Sequence, residues 1–231
     1  MNGPAAGGAG LPRPAGKLRP DRGGSFERWR MFGRAKQEGP RKKSVFREYA
    51  EIILMAVVLA FFVRAFFIQA FRIPSESMEN TLLVGDFLFA NKLIYGAKVP
   101  FMDTRLPAVR DPHPGDIIIF KYPGDKKTDY IKRCVAVEGQ TVELRGRTLY
   151  VDGVAQTEDY AIYYHGSNFG PYVVPKDHIF MMGDNRDNSA DSRSWGPLPK
   201  SLILGKAMFI YFSLNSPDKI IRFSRIGDII R

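Results

Sequence analysis

The chain has 231 residues, one cysteine and a formal net charge of +10. Residues 1–48 carry 12 Lys/Arg against 4 Asp/Glu, whereas residues 71–231 carry 21 against 19. The positive charge therefore belongs to the N-terminal tail, which argues against the basic folded surface of a nucleic-acid-binding protein, and the lone Cys134 excludes an intrachain disulfide scaffold.

Residues 1–40 hold 9 Gly and 5 Pro among scattered basic residues. Such a segment buries too little apolar surface to offset its chain entropy, so residues 1–48 read as a disordered basic tail. A basic cluster, Arg41, Lys42, Lys43 and Arg47, ends it. The composition then changes: Ala50–Ala70 runs AEIILMAVVLAFFVRAFFIQA. A helix of this length spans roughly 30 Å, the thickness of a bilayer core, and satisfies its own backbone polar groups. This predicts a transmembrane helix over 49–70. The tail is too long for the n-region of a cleaved signal peptide. A buried core helix is the remaining alternative, because Glu51 and Arg64 interrupt the run; Arg64 lies within snorkelling reach of the far interface. Lys/Arg on the N-terminal flank place the tail in the cytoplasm and the residues after 71 outside.

Strand signals dominate beyond the helix. Asp116–Phe120 and Tyr130–Val137 are apolar runs, and Val142–Leu144 and Leu149–Val151 flank Arg145-Gly146-Arg147 as a hairpin. Tyr172–Val174, His178–Met182 and Ala207–Phe212 read as further strands. A mainly β domain follows, with no long amphipathic helix and no internal repeat.

Three segments carry candidate chemistry. In the first, Pro74-Ser75-Glu76-Ser77 forms a turn-prone stretch just past the membrane exit. Serine-rich turns are common after helices, and a serine hydroxyl is a poor nucleophile until a base takes its proton. The three histidines, His113, His165 and His178, lie in loops or at a strand start and read as turn or surface residues, although spacing alone does not exclude a Ser-His-Asp arrangement. A lysine serves as base if burial pulls its pKa down from about 10.4. Lys132 lies in an otherwise apolar strand. Alternation puts it on one face with Tyr130, Cys134 and Ala136, leaving Arg133 on the other face, free to pair elsewhere. Pattern alone favours the ordinary outcome, an exposed lysine on an edge strand. The third segment, Gly183–Gly196, is dense in Asp, Asn and Arg. It fails as a calcium loop because Arg186 takes a ligand position and the required glycine is missing; it suits an ion-paired loop instead. No metal motif, P-loop or dinucleotide fingerprint is present, so no cofactor is expected.

Together, Ile73-Pro-Ser-Glu-Ser-Met78, Gly115-Asp-Ile-Ile-Ile-Phe120, Asp129-Tyr-Ile-Lys-Arg133 and Gly183-Asp-Asn-Arg-Asp-Asn-Ser-Ala-Asp-Ser-Arg193 resemble the motifs of bacterial type I signal peptidases, in the same order. The resemblance implies a membrane-bound serine endopeptidase that removes signal peptides from exported preproteins after small residues of the A-x-A type. It implies Ser77 as nucleophile, Lys132 as general base, Ser75 in the oxyanion hole and Ser189 orienting Lys132. It implies structural support from Arg186, Asp191 and Arg193, and substrate pockets lined by Phe71, Ile73, Met78, Leu82, Tyr130 and Ile131. The implied fold is the two-part β fold of Ser/Lys peptidases, with a catalytic core of about 71–137 and 177–231 and a smaller β insertion of about 138–176. The implied location is the bacterial cytoplasmic (inner) membrane, with a single pass, partnered by lipid and preproteins and not by nucleic acid. Asn80 departs from the family, where proline is common, and implies a less rigid turn after Met78. Two rival readings remain: another Ser/Lys peptidase of the clan, such as a self-cleaving regulator or pilin-processing enzyme, and a catalytically silent membrane anchor on a peptidase fold.

Overall fold

The computed structural model describes residues 44–100, 102, 104–215 and 218–231. The expected disordered tail falls outside them as far as Lys43, and its last four residues, Val45–Glu48, are helical.

Helix α1 spans Val45–Phe66, and Ala65 is the one buried residue along it. It is long and apolar enough to cross a membrane, at about 1.5 Å per residue, and its side chains are left outside the protein core. The boundaries differ from 49–70. The start is earlier because Arg47 pairs with Glu51 one turn on (3.0 Å), holding the first turn. The end is earlier because Ile68–Arg72 leave the helix to form strand β1, which pairs with β2 (Asp86–Asn91) from Ile68↔Asn91 to Arg72↔Phe87. Lys92, just past β2, donates to the carbonyl of Ala65 at 2.7 Å, placing a cation on the open carbonyl end of the helix.

Among the described residues, the regular elements that follow are mostly strands: β3 (Ile117–Lys121), β4 (Asp129–Val137), β5 (Thr141–Arg145), β6 (Thr148–Val151), β7 (Val154–Ala155), β8 (Phe169–Val173), β9 (His178–Met182), β10 (Leu198–Pro199) and β11 (Ile203–Ser213). A four-residue helix, α2 (Ser192–Trp195), stands between β9 and β10. A seven-stranded sheet has the order β1-β2-β11-β3-β4-β9-β10, and a four-stranded sheet has the order β7-β6-β5-β8. The chain leaves the large sheet at the end of β4, builds the small one, and returns through β9, which pairs with β4. Asp152 and Gly153 turn the chain between β6 and β7 with positive φ of 52° and 77°, the left-handed pair that a two-residue hairpin turn requires.

Strand alternation explains how the layers are glued. On β9, Ile179 and Met181 point into one cluster with Phe120, Cys134 and Leu198, while Phe180 and Met182 point into another with Val142, Leu144 and Leu149 beneath the small sheet. Each such side chain contributes roughly 1.5–3 kcal/mol on burial. Strand β4 lies between β3 and β9 and is no edge strand. Alternation holds along it through Cys134. A register shift between Cys134 and Ala136 then breaks it, so Ala136 joins Val135 under the small sheet and does not share the face of Cys134.

Candidate active site

Pro74 carries the chain out of β1, and Ser75, extended at φ −135°, precedes a short 3-10 turn over Glu76–Met78. Two apolar anchors hold this turn. Met78 and Leu82 are fully buried with Ile73, and the Leu82 amide donates to the Met78 carbonyl at 2.7 Å. The Ser77 carbonyl accepts from the Asn185 amide at 3.2 Å, which ties the turn to the loop after β9. Ser77 is thereby set over the middle of β4.

Lys132 reaches it from that strand. Its Nζ lies 2.6 Å from Ser77 Oγ and 3.1 Å from the Ile131 carbonyl, and 5.4 Å from the centre of the Tyr130 ring. Lys132 is 4% exposed. Burial pulls its pKa down to about 8, with the carboxylates of Asp191 and Asp184 pulling weakly the other way. A buried amine that is neutral in mildly alkaline solution and touches a serine hydroxyl can remove that hydroxyl's proton.

Ser75 Oγ is 3.4 Å from Ser77 Oγ, on the solvent side of the pair. Ser189 stands beside the same turn: a Cβ placed on Gly183 would meet Ser189 Oγ at 2.3 Å and the Ser77 carbonyl at 2.4 Å. The expected hydrogen bond between Ser189 and Lys132 is not made. The Lys132 amine is aimed at Ser77 and the Ile131 carbonyl, and Ser189 Oγ is buried with no partner.

A cleft of about 610 Å³ opens over the pair, with Pro74, Ser75, Tyr130 and Ile131 in its walls. A small pocket of about 30 Å³ adjoins it, lined by Phe71, Ile73, Ile119, Tyr130 and Ile131. Two expected pocket residues lie elsewhere. Met78 packs in the core and is not among the residues lining the cleft, and Leu82 borders a neighbouring cavity of about 380 Å³.

Ion pairs fix much of the polar loop after β9. Asp191 takes Arg193 in a two-pronged contact at 2.9 and 2.8 Å and also accepts from the Gly183 amide at 3.1 Å. Arg186 is buried against Glu158 at 2.6 and 2.7 Å. Arg133, next to Lys132, is matched two-pronged by Asp184 at 2.8 Å on both arms, and its guanidinium lies over the Tyr160 ring, 3.7 Å from the centre. Alternation indicated that Arg133 points away from Lys132. The partners Asp184, Glu158 and Tyr160 lie 25 or more positions away in sequence, and no local pattern reveals them.

Asn80 adopts φ +81° and donates from Nδ2 to the Tyr160 carbonyl at 3.2 Å. The backbone here is left-handed, a conformation closed to proline and favourable for asparagine.

Comparison with known proteins places these features in a family. The family model described as signal peptidase, peptidase S26, matches residues 46–212. A signal peptidase I of Pseudomonas aeruginosa is 32% identical, over 81% of this chain and 81% of its own length. The signal peptidase I of Pseudomonas fluorescens is 33% identical, over 80% of each. Thylakoidal processing peptidase 1 of Arabidopsis thaliana is 36% identical over 77% of this chain and 51% of its own length.

Proposed function

The chain belongs to the peptidase S26 signal peptidase family, and from that premise we propose that it is a membrane-anchored serine endopeptidase that cleaves signal peptides from preproteins with a Ser77/Lys132 dyad. The observation that carries the dyad is the 2.6 Å contact between Lys132 Nζ and Ser77 Oγ in a buried site at the floor of an open cleft.

Neutral Lys132 takes the Ser77 proton as Oγ bonds to the scissile carbonyl carbon. The resulting oxyanion accepts from the Ser77 backbone N–H and the Ser75 hydroxyl, an interaction typically contributing about 3 kcal/mol. The Lys132 ammonium then protonates the leaving amine as the C–N bond breaks, leaving an acyl-enzyme. Water attacks the ester, again with Lys132 taking its proton, and the signal peptide's new carboxylate and Ser77 are released. Ser189, unpartnered beside the dyad, supplies an acceptor for the ammonium when that forms. Asp191 with Arg193, and Arg186, hold the loop in place.

The small pocket supports cleavage after residues of the A-x-A type. At about 30 Å³, against about 610 Å³ for the cleft, it favours a small side chain over a bulky one. Helix α1 keeps the site at the surface where a signal peptide's apolar segment also resides. The Lys/Arg-rich N-terminal flank places the tail in the cytoplasm and the β domain on the outer side of the inner membrane. The division into a membrane helix, Val45–Phe66, and the β domain that follows it, with the insertion over 138–176, belongs to the same proposal.

The direct experiment is incubation of the detergent-solubilised protein with a purified preprotein. The new N-terminus is read by mass spectrometry, with Ser77→Ala as control. Release of the mature protein after an A-x-A site by the native enzyme alone supports the reading. Equal cleavage by Ser77→Ala overturns it.

A further inference from the structure

The loop between β7 and β8, in the small-sheet part of the chain, makes three contacts around the proposed dyad, two with the 183–189 loop after β9 and one with Arg133 on β4. Glu158 grips the fully buried Arg186 guanidinium with both carboxylate oxygens, at 2.6 and 2.7 Å. The Tyr160 ring lies 3.7 Å from the guanidinium of Arg133, the neighbour of Lys132. Ile162 bridges to Asn185 in parallel, its amide donating to the Asp184 carbonyl at 2.8 Å and its carbonyl accepting from Arg186 at 2.9 Å.

What this grip holds is the floor of the dyad. Arg186 Nε donates to the Gly183 carbonyl at 3.0 Å. Gly183 is packed against Ser189 and the Ser77 carbonyl, and Asn185 donates its amide to that same carbonyl. Two tyrosine hydroxyls, Tyr160 at 2.9 Å and Tyr163 at 3.2 Å, donate to Glu158 and fix its carboxylate. The chain of contacts runs unbroken from Glu158 through Arg186 and Gly183 to Ser77.

We propose that Glu158 is a positioning residue for cleavage, an ionic pin by which the small-sheet loop holds the 183–189 loop, and through it Ser77, in reacting register. The proposal rests on the Ser77/Lys132 reading above. Its logic is that of any preorganised site: a displacement of about 1 Å costs on the order of a hundredfold in rate, and a buried ion pair with added hydrogen bonds is a stiff way to prevent one. A pin that acts on geometry alters kcat more than KM, because Glu158 touches neither the dyad nor the cleft.

The test compares the full-length native enzyme with Glu158→Gln and with the double variant Glu158→Gln/Arg186→Met in the preprotein assay, with rates normalised to folded protein by thermal melt. The double variant removes the buried cation that Glu158→Gln leaves unpaired, so it separates loss of folding from loss of positioning. We expect kcat to fall at least about tenfold in both variants with KM within about twofold, and amide exchange of Gly183 and Asn185 to accelerate while that of β5 and β6 does not. Recovery of native kcat in the double variant, or unchanged exchange at Gly183 and Asn185, overturns the pin. Ser77→Ala in the same series reports separately on the dyad: full activity there contradicts the dyad reading, and the exchange readout still decides the pin.

Discussion

Lys132 Nζ lies 2.6 Å from Ser77 Oγ although the two residues are 55 positions apart. The contact joins the first turn after β1 to the middle of the β4 strand. It exists because Met78 and Leu82 anchor that turn in the core while β4 is buried on both faces. In the proposed reading, a cleavable peptide bond placed in the cleft above meets a nucleophile and its base together.

The depressed pKa of Lys132 sets the pH dependence. Below about 8 the amine is protonated and holds no lone pair for the Ser77 proton. The value of kcat/KM is therefore expected to climb roughly tenfold per pH unit on the acid side and level off above about 8, as measured on a preprotein or signal-peptide substrate.

The same shift makes Lys132 a stability cost. Its folded-state pKa lies below the ordinary 10.5, so below about 8 both folded and unfolded chains hold the proton and the folded state carries the full burial penalty. Between about 8 and 10.5 the unfolded chain binds the proton more tightly, and native stability rises with pH. Lys132→Met is expected to be inactive yet more stable at neutral pH by roughly 2–3 kcal/mol, with the advantage shrinking as pH rises through that window. Denaturant melts of both proteins across the window check this.

Gly183 has no room for a side chain. A Cβ there would lie 2.3 Å from Ser189 Oγ and 2.4 Å from the Ser77 carbonyl. Gly183→Ala is expected to lower kcat by about a hundredfold through displacement of the Ser77 turn while leaving the far-ultraviolet circular dichroism unchanged.

Asn80 at φ +81° predicts opposite outcomes for two substitutions. Asn80→Gly keeps the backbone and changes stability by a few tenths of a kcal/mol. Asn80→Pro forces φ toward −65° and costs about 2–3 kcal/mol, read as a lower melting temperature.

Much of this was legible in the sequence. Period-two alternation placed Lys132 on an apolar face and Arg133 on the opposite one, and turn residues located the β5–β6 hairpin. The helix end was not legible, since Ile68, Ala70 and Phe71 prolong the apolar run and only pairing with β2 makes Ile68–Arg72 a strand. Nor was the burial of Lys132: whether a strand is central or at an edge depends on the sheet order β3-β4-β9, and β9 is contributed by residues some 45 positions downstream. The Cys134/Ala136 register shift moved Ala136 to another cluster with no local signal. Glu158 stayed invisible for the same reason, as its value comes wholly from a partner in a different loop.

The central claim is that a neutral Lys132 amine deprotonates Ser77. Lys132→Arg tests it most directly, because arginine keeps the charge and the hydrogen-bond donors but cannot become a neutral base. In single-turnover cleavage of a preprotein, with folding verified, the account predicts that Lys132→Arg falls to the level of Ser77→Ala, about four orders of magnitude or more below the native enzyme, and stays there as pH rises. Cleavage by Lys132→Arg at a rate near native would contradict it.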